Sequence, residues 1–228
     1  PIGGGGLISG IATAVKAKTD ARVIGVQAEG ASSVAESLQK GHRIERESVD
    51  TIADGIATRT VGELTFEVIK ERVDEVVTVT DAEIAVALVT LLERSKTLAE
   101  GAGVVPLAAL LGEKFEFDEN ETIVPTLCGG NIDMNMLTTV IMRGLVDQGR
   151  YLKIRTVVKD RPGSLRQVLD IIADERANIY AIQHDRTSRD IAMSDTEVEI
   201  DLETRGDEHV DRLLTRLRDH GFDVDVLV

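Results

Sequence analysis

The sequence predicts an α/β protein in two parts: a parallel-sheet domain over residues 1–148, then a ferredoxin-like βαββαβ domain over residues 150–228. Three observations predict it. Short β-branched runs alternate with helix-period segments through the first part. A run of four glycines opens directly into a helix-period stretch. The patterning changes at Gly149-Arg150, after which two strand–helix–strand passages follow.

In the first part, Leu7, Ile8, Ile11, Ala12 and Val15 form one apolar helical stripe. Arg22 to Ala28 reads as a short buried strand. Ala31 to Gly41 reads as a helix, and His42 to Thr60 as a loop broken at Gly55. Leu64 to Arg72 is a helix, and Glu75 to Thr80 a β-branched strand. Asp81 is the expected N-cap of a helix carrying Ile84, Leu88, Leu91 and Leu92. Gly101 to Leu111 is a helix of small residues. Thr122 to Leu127 reads as a further buried strand, ending in Cys128-Gly129-Gly130-Asn131. Met134 to Gly149 is helical.

In the second part, Leu152 to Val158 is a strand, and Asp160 to Gly163 a turn. Ser164 is the expected cap of a helix bearing Leu165, Val168, Leu169, Ile171 and Ile172. Ile179 to His184 and Thr196 to Leu202 are strands, the latter alternating cleanly. Asp207 to His220 is a helix stopped by Gly221, and Phe222 to Leu227 a last strand. The acids Glu197, Glu199, Asp201 and Glu203 read as a solvated strand face.

Composition narrows function. Hydrophobic residues make up 43% of the 228, enough for a core. Forty acids against 26 bases give a net charge of -14, which repels phosphate backbones and anionic membranes. Nucleic acid and membrane are therefore not expected partners. This acidic balance suits either a high-salt cytoplasm or ordinary solubility. No apolar run reaches spanning length, and one Cys allows no disulfide framework. The expected location is cytoplasmic. The four His (His42, His184, His209, His220) show no ligand spacing and read as surface or loop residues. Pro1-Ile2 leaves almost no room for the strand that normally precedes such a glycine loop, so the sequence reads as the C-terminal part of a longer protein.

Gly3-Gly4-Gly5-Gly6 can present bare N–H groups at a helix start, an anion cradle helped by the helix dipole. The alternative is a frayed glycine-rich end. A Walker motif is excluded, because no Gly-Lys-Ser/Thr follows. A dinucleotide site stays open, since Glu29 ends the next strand where a ribose-binding acid would sit, but the G-x-G-x-x-G spacing fails. Cys128, followed by glycines at a strand end, is either an inert small residue or a thiol that a flat ring can approach.

The runs GGGGL (Gly3 to Leu7), IADGIA (Ile52 to Ala57), LAEGAGVVPLAAL (Leu98 to Leu110) and CGGNID (Cys128 to Asp133) resemble the C-terminal half of the catalytic domain of the threonine ammonia-lyase (threonine dehydratase) family. The tail after residue 150 resembles an ACT domain, a regulatory amino-acid-binding module. The resemblance implies a truncated fold-type II domain (like the β-subunit of tryptophan synthase) and the cofactor pyridoxal 5′-phosphate. It implies deamination of L-threonine to 2-oxobutanoate and ammonia, with a serine-type dehydratase as the variant reading. Gly3, Gly4, Gly5, Gly6 and Leu7 would give amides to the cofactor phosphate, and Cys128 would face the pyridine nitrogen. Gly55 and Glu100 would lie on the substrate side, and Asn131 would hold its loop.

Two departures follow. The family's Schiff-base Lys lies upstream of the glycine loop, and none of the eight Lys here has a matching context, so no catalytic residue is assigned and the chain alone is expected to be inactive. Relatives with a metal site carry an acid six residues after the Glu that Glu29 matches. Position 35 is Ala, so no metal is expected. In the ACT-like tail, Asp160, Arg161, Pro162 and Gly163, with Asn178 and Ile179, would hold an amino-acid effector such as isoleucine or valine. Edge-to-edge pairing of such domains predicts a homo-oligomer. The rival reading is a dinucleotide-binding regulator with ACT sensing.

Overall fold

In the computed structural model, which describes residues 1–186 and 191–228, the glycine loop runs straight into α1 (Gly6–Lys16). The apolar stripe of α1 turns Ile8 and Ala12 inward. They join a core of Ile2, Val23, Val34, Val61, Phe66 and Ile69. Full burial of a side chain such as Phe66 contributes about 1.5–3 kcal/mol. The chain then forms β1 (Ile24–Ala28), α2 (Ser33–Lys40), α3 (Glu63–Arg72) and β2 (Glu75–Val79). β1 and β2 pair in parallel, Ile24 opposite Glu75 and Ala28 opposite Val79. The other edge of β1 receives one backbone bond among the described residues, from the Ile2 N–H to the Val26 carbonyl at 2.8 Å.

α4 (Asp81–Ser95) begins one residue earlier than expected, because Thr80 rather than Asp81 is the N-cap, in a capping box with Glu83. Asp81 is thereby free to serve elsewhere. Its carboxylate accepts from Thr51 Oγ1 at 2.6 Å and from the Ile52 N–H at 3.1 Å, which fixes the loop that carries Gly55. α5 (Gly101–Leu111) packs on α4 through small side chains, within a core of Ala87, Leu88, Val104, Val105 and Ala108.

The expected strand at Thr122 to Leu127 does not form. Strand structure needs a ladder partner, and this stretch has none among the described residues; Pro125 also lacks an N–H, and Val124 is largely exposed. Among the described residues the first sheet therefore has two strands, β1 and β2. α6 (Met134–Asp147) follows, its N–H groups at Asn135 and Met136 capped by Asp133 Oδ1. The chain divides into two compact units, Pro1–Gly144 and Leu145–Val228.

The second unit contains β3 (Tyr151–Lys159), α7 (Ser164–Asp174), β4 (Asn178–Asp185), β5 (Asp195–Glu203), α8 (Asp207–Asp219) and β6 (Val224–Val226). The antiparallel sheet runs β4-β5-β3-β6, the order of a βαββαβ unit. Leu152, Ile154, Val198, Ile200 and Leu202 pack against Val168, Ile172, Leu213 and Leu217 of the helices. Ser164 is not the cap of α7. Gly163, at φ 93°, takes the cap position, and Ser164 is the first helical residue. His209 is buried, against the surface expectation. Its Nδ1 accepts from the Arg205 N–H at 3.1 Å, and its Nε2 lies 2.9 Å from the Glu175 carbonyl. Both ring nitrogens thus have backbone partners, which makes burial tolerable. The acidic strand face is paired rather than simply solvated. Lys153 meets Glu199 at 2.8 Å, and Arg155 meets Glu199 at 2.9 Å and Glu197 at 3.4 Å.

Candidate functional site

The first unit holds a hollow of about 290 Å³ whose wall includes Gly3, Gly4, Gly5, Gly6, Leu7, Gly55, Glu100 and Cys128. These are the residues singled out from four separate stretches of sequence, and all of them share this one hollow. Ile56, Ala102 and Gly129 also stand in the wall. Two hollows of about 370 Å³ lie along the outer edge of β1, bordered by Ile24, Pro106 and Val124, and contain none of them. Glu29 does not line the 290 Å³ hollow either.

Each stretch reaches the hollow for a local reason. Gly5 is the N-cap of α1 at φ 90° and ψ -4°, a left-handed conformation that glycine adopts without strain. No side chain caps α1, and the N–H groups of Gly3 through Leu7 have no acceptor among the described residues. The loop therefore offers unspent donors at the positive end of a helix dipole. Ala53 to Ile56 is held by Asp81 through Thr51 and Ile52. Glu100 is the N-cap residue of α5, and its N–H lies 3.4 Å from the Gly129 carbonyl. Cys128 donates its N–H to the Gly103 carbonyl at 3.3 Å and is half-buried. Gly129, at φ 89°, turns the chain so closely past Glu100 that a Cβ there would overlap the carboxylate.

Among the described residues the wall carries one carboxylate side chain, Glu100, one thiol, Cys128, and no Lys or Arg, with Pro1 also in it. An anion in the hollow would be met by backbone dipoles rather than by a Lys or Arg side chain. The glycines leave flat walls that a planar ring can approach. The donor set thus fits a phosphorylated aromatic group. Asn131 and Asp133 border a smaller neighbouring hollow of about 80 Å³, with Glu100 in the shared wall.

Two residues that no sequence signal marks out hold the loop itself. The Gly4 carbonyl accepts from Thr65 Oγ1 at 2.7 Å and from the Gly62 N–H at 3.2 Å. Nothing in the run GELTF distinguishes Thr65, because its partner is 61 residues away.

In the second unit, the expected effector residues are not together in one chain. Asp160 to Gly163 follows the end of β3 at Lys159, where β5 begins at Asp195. Asn178 and Ile179 open β4 opposite Glu203 and Leu202, level with the start of β3 at Tyr151. The two groups lie at opposite ends of the sheet, roughly 25 Å apart along the strands. Asp160 is instead paired with Arg186 at 3.1 Å, and Asn178 donates to Glu203 at 3.0 Å.

Comparison with known proteins adds to this geometry. Residues 1–129 match the sequence profile of pyridoxal-phosphate dependent enzymes, and residues 149–220 that of an ACT domain. The chain is 48% identical over 228 residues to the L-threonine ammonia-lyase of Geobacter sulfurreducens, covering 100% of this chain and 56% of that protein. The L-threonine ammonia-lyase of Thermotoga maritima is 42% identical with the same coverage. The chain thus spans about half the length of the curated relatives it matches. Among solved structures, the processed form of threonine deaminase isoform 2 from Solanum lycopersicum is similar with a TM-score of 0.59 and 36% identity, over 64% of this chain and 41% of that one. Maize serine racemase is similar with a TM-score of 0.55 and 35% identity, over 64% and 46%.

Proposed function

Because the chain belongs to the family of pyridoxal-phosphate dependent enzymes and carries an ACT domain, we propose that it is the cofactor-cradling and regulatory part of an L-threonine ammonia-lyase, which yields 2-oxobutanoate and ammonia. The observation that carries this reading is the single hollow shared by the glycine loop, Gly55, Glu100 and Cys128. When bound, pyridoxal phosphate supplies an electron sink that lets the Cα–H bond of an amino acid break.

The chain's own residues bind and orient. The N–H groups of Gly3, Gly4, Gly5, Gly6 and Leu7 hold the phosphate by dipoles. The Cys128 thiol offers the pyridine nitrogen a weak hydrogen bond, not the full counter-charge of a carboxylate. Gly55 keeps the substrate side of the ring open, and Glu100 is the one carboxylate there. None of the eight Lys lines the hollow, so the chain by itself holds the cofactor without a covalent amine and does not deaminate.

Cys128 is the only Cys, so its alkylation reads the hollow directly. Pyridoxal 5′-phosphate is expected to slow alkylation by iodoacetamide severalfold, and pyridoxal without phosphate much less. An alkylation rate unchanged by pyridoxal 5′-phosphate would overturn the reading.

For the ACT domain, we infer an effector site completed by two copies, with Asp160, Arg161, Pro162 and Gly163 from one and Asn178 and Ile179 from the other. Their separation along one sheet supports this. Isoleucine or valine is then expected to raise the dimer fraction in sedimentation velocity. Binding of either to a chain that stays monomeric would count against it.

A further inference from the structure

We propose that Thr65 is a positioning residue for the phosphate-binding face of the glycine loop, acting through the Gly4–Gly5 peptide. This rests on the cofactor reading above. A trans peptide is planar, with its C=O and N–H on opposite sides. The Gly4 carbonyl is drawn toward the start of α3 by the Gly62 N–H at 3.2 Å and by Thr65 Oγ1 at 2.7 Å, the shorter of that hydroxyl's two carbonyl contacts, the other being the Gly62 carbonyl at 3.0 Å. The N–H of the same peptide belongs to Gly5, and it must point the other way.

Gly5 lines the hollow, and its N–H has no acceptor among the described residues. The clamp thus aims a donor at the place where the phosphate sits. Without it, rotation of this peptide would replace that donor with a carbonyl oxygen and its negative end. Four glycines in a row resist such a rotation weakly, since glycine tolerates most φ/ψ combinations.

One further contact and a close approach keep the clamp in register. Ser9 Oγ of α1 donates to the Thr65 carbonyl at 3.3 Å, so the two helix starts are joined in both directions. A Cβ on Gly5 would stand 2.8 Å from Thr65 Oγ1 and 2.9 Å from Thr65 Cβ, so the approach leaves no slack. Thr65 itself stands behind the loop and does not line the hollow.

The test uses the full chain with Thr65→Ala, and Thr65→Ser as the variant that keeps the hydroxyl. The first readout needs no cofactor: the Gly4 and Gly5 amide resonances in a ¹⁵N-edited spectrum. They should shift in Thr65→Ala and return close to their original positions in Thr65→Ser. The second is the ratio of affinities for pyridoxal 5′-phosphate and pyridoxal. It should fall about tenfold in Thr65→Ala, the loss of one charge-assisted donor, and recover in Thr65→Ser. Affinity for pyridoxal should stay put, which a general loosening of the fold would not allow. Unmoved glycine amides, or an unchanged ratio in Thr65→Ala, would overturn the clamp. If the wild-type chain itself shows no preference for the phosphorylated form, the cofactor reading fails, and with it the phosphate role. The amide shifts then still report whether Thr65 sets the peptide.

Discussion

A methyl group at Gly129 and one at Gly130 would meet different fates, although the two glycines are neighbours. Gly129 sits at φ 89°, and its Cβ would overlap the Glu100 carboxylate. At Gly130 the nearest atom to a Cβ is the Leu98 carbonyl oxygen at 3.9 Å. Gly129→Ala should therefore cost about 2 kcal/mol or more in urea unfolding, from left-handed strain and overlap together. Gly130→Ala should stay within about 0.5 kcal/mol. Equal costs would mean that neither the left-handed backbone nor the approach of Glu100 constrains Gly129. At this scale the sequence is legible where glycines cluster, because a cluster is improbable without a backbone role. It is illegible at Thr65 and Asp81, whose tasks are set by partners 61 and 30 residues away. His209 departs from its expected surface place for the same reason: its partners lie on a backbone turn and on another helix.

α1 is anchored at its far end by charge. Lys16 Nζ donates to Asp74 at 2.8 Å, and the same carboxylate accepts from the Val23 N–H at 2.7 Å. The hydrogen bond from Lys16, then that from Val23, hold the Asp74 carboxyl below its ordinary value. A carboxyl depressed in the folded state contributes stability above its unfolded pKa of about 3.9 and loses it as pH falls through the folded value. Because the side chain is 38% exposed, solvent screening limits the pair to about 1 kcal/mol. Asp74→Asn should therefore lower the melting temperature near neutrality by ~2–4 °C and flatten its fall below about pH 4. A parallel acid limb in both proteins would remove Asp74 from the account. Elements that satisfy themselves locally are the easiest to foresee, and α5 has the expected bounds, Gly101–Leu111. Helix caps slip by one residue at Thr80 and Gly163, where neighbouring residues compete for one role. The stretch Thr122 to Leu127 has strand composition but no ladder, and composition alone does not supply a partner.

Each of the two units has a core of its own, and that of the second belongs wholly to residues after Leu145. Ile200 is fully buried in the middle of that core. Ile200→Ala should destabilise the second unit by about 2–5 kcal/mol. The alkylation rate of Cys128, in the first unit, should be unaffected by it. A matching change there would show that the units unfold as one. At this scale the change of patterning near Gly149 is plain in the sequence. The distance between Asp160 and Asn178 is not, because strand order decides it.

The outer flank of β1 is met by Ile2 alone among the described residues, at Val26. Gly25 to Ala28 are buried and Ile24 is half-buried, so the accessible peptide groups of that flank are those at Ile24, where another chain can pair, and the net charge of -14 is the force that holds copies off. Added electrolyte shortens the reach of that repulsion, to about 3 Å at 1 M, without weakening peptide pairing to match. Light scattered by a concentrated solution should therefore climb as sodium chloride is raised, and the newly protected amide should be that of Ile24.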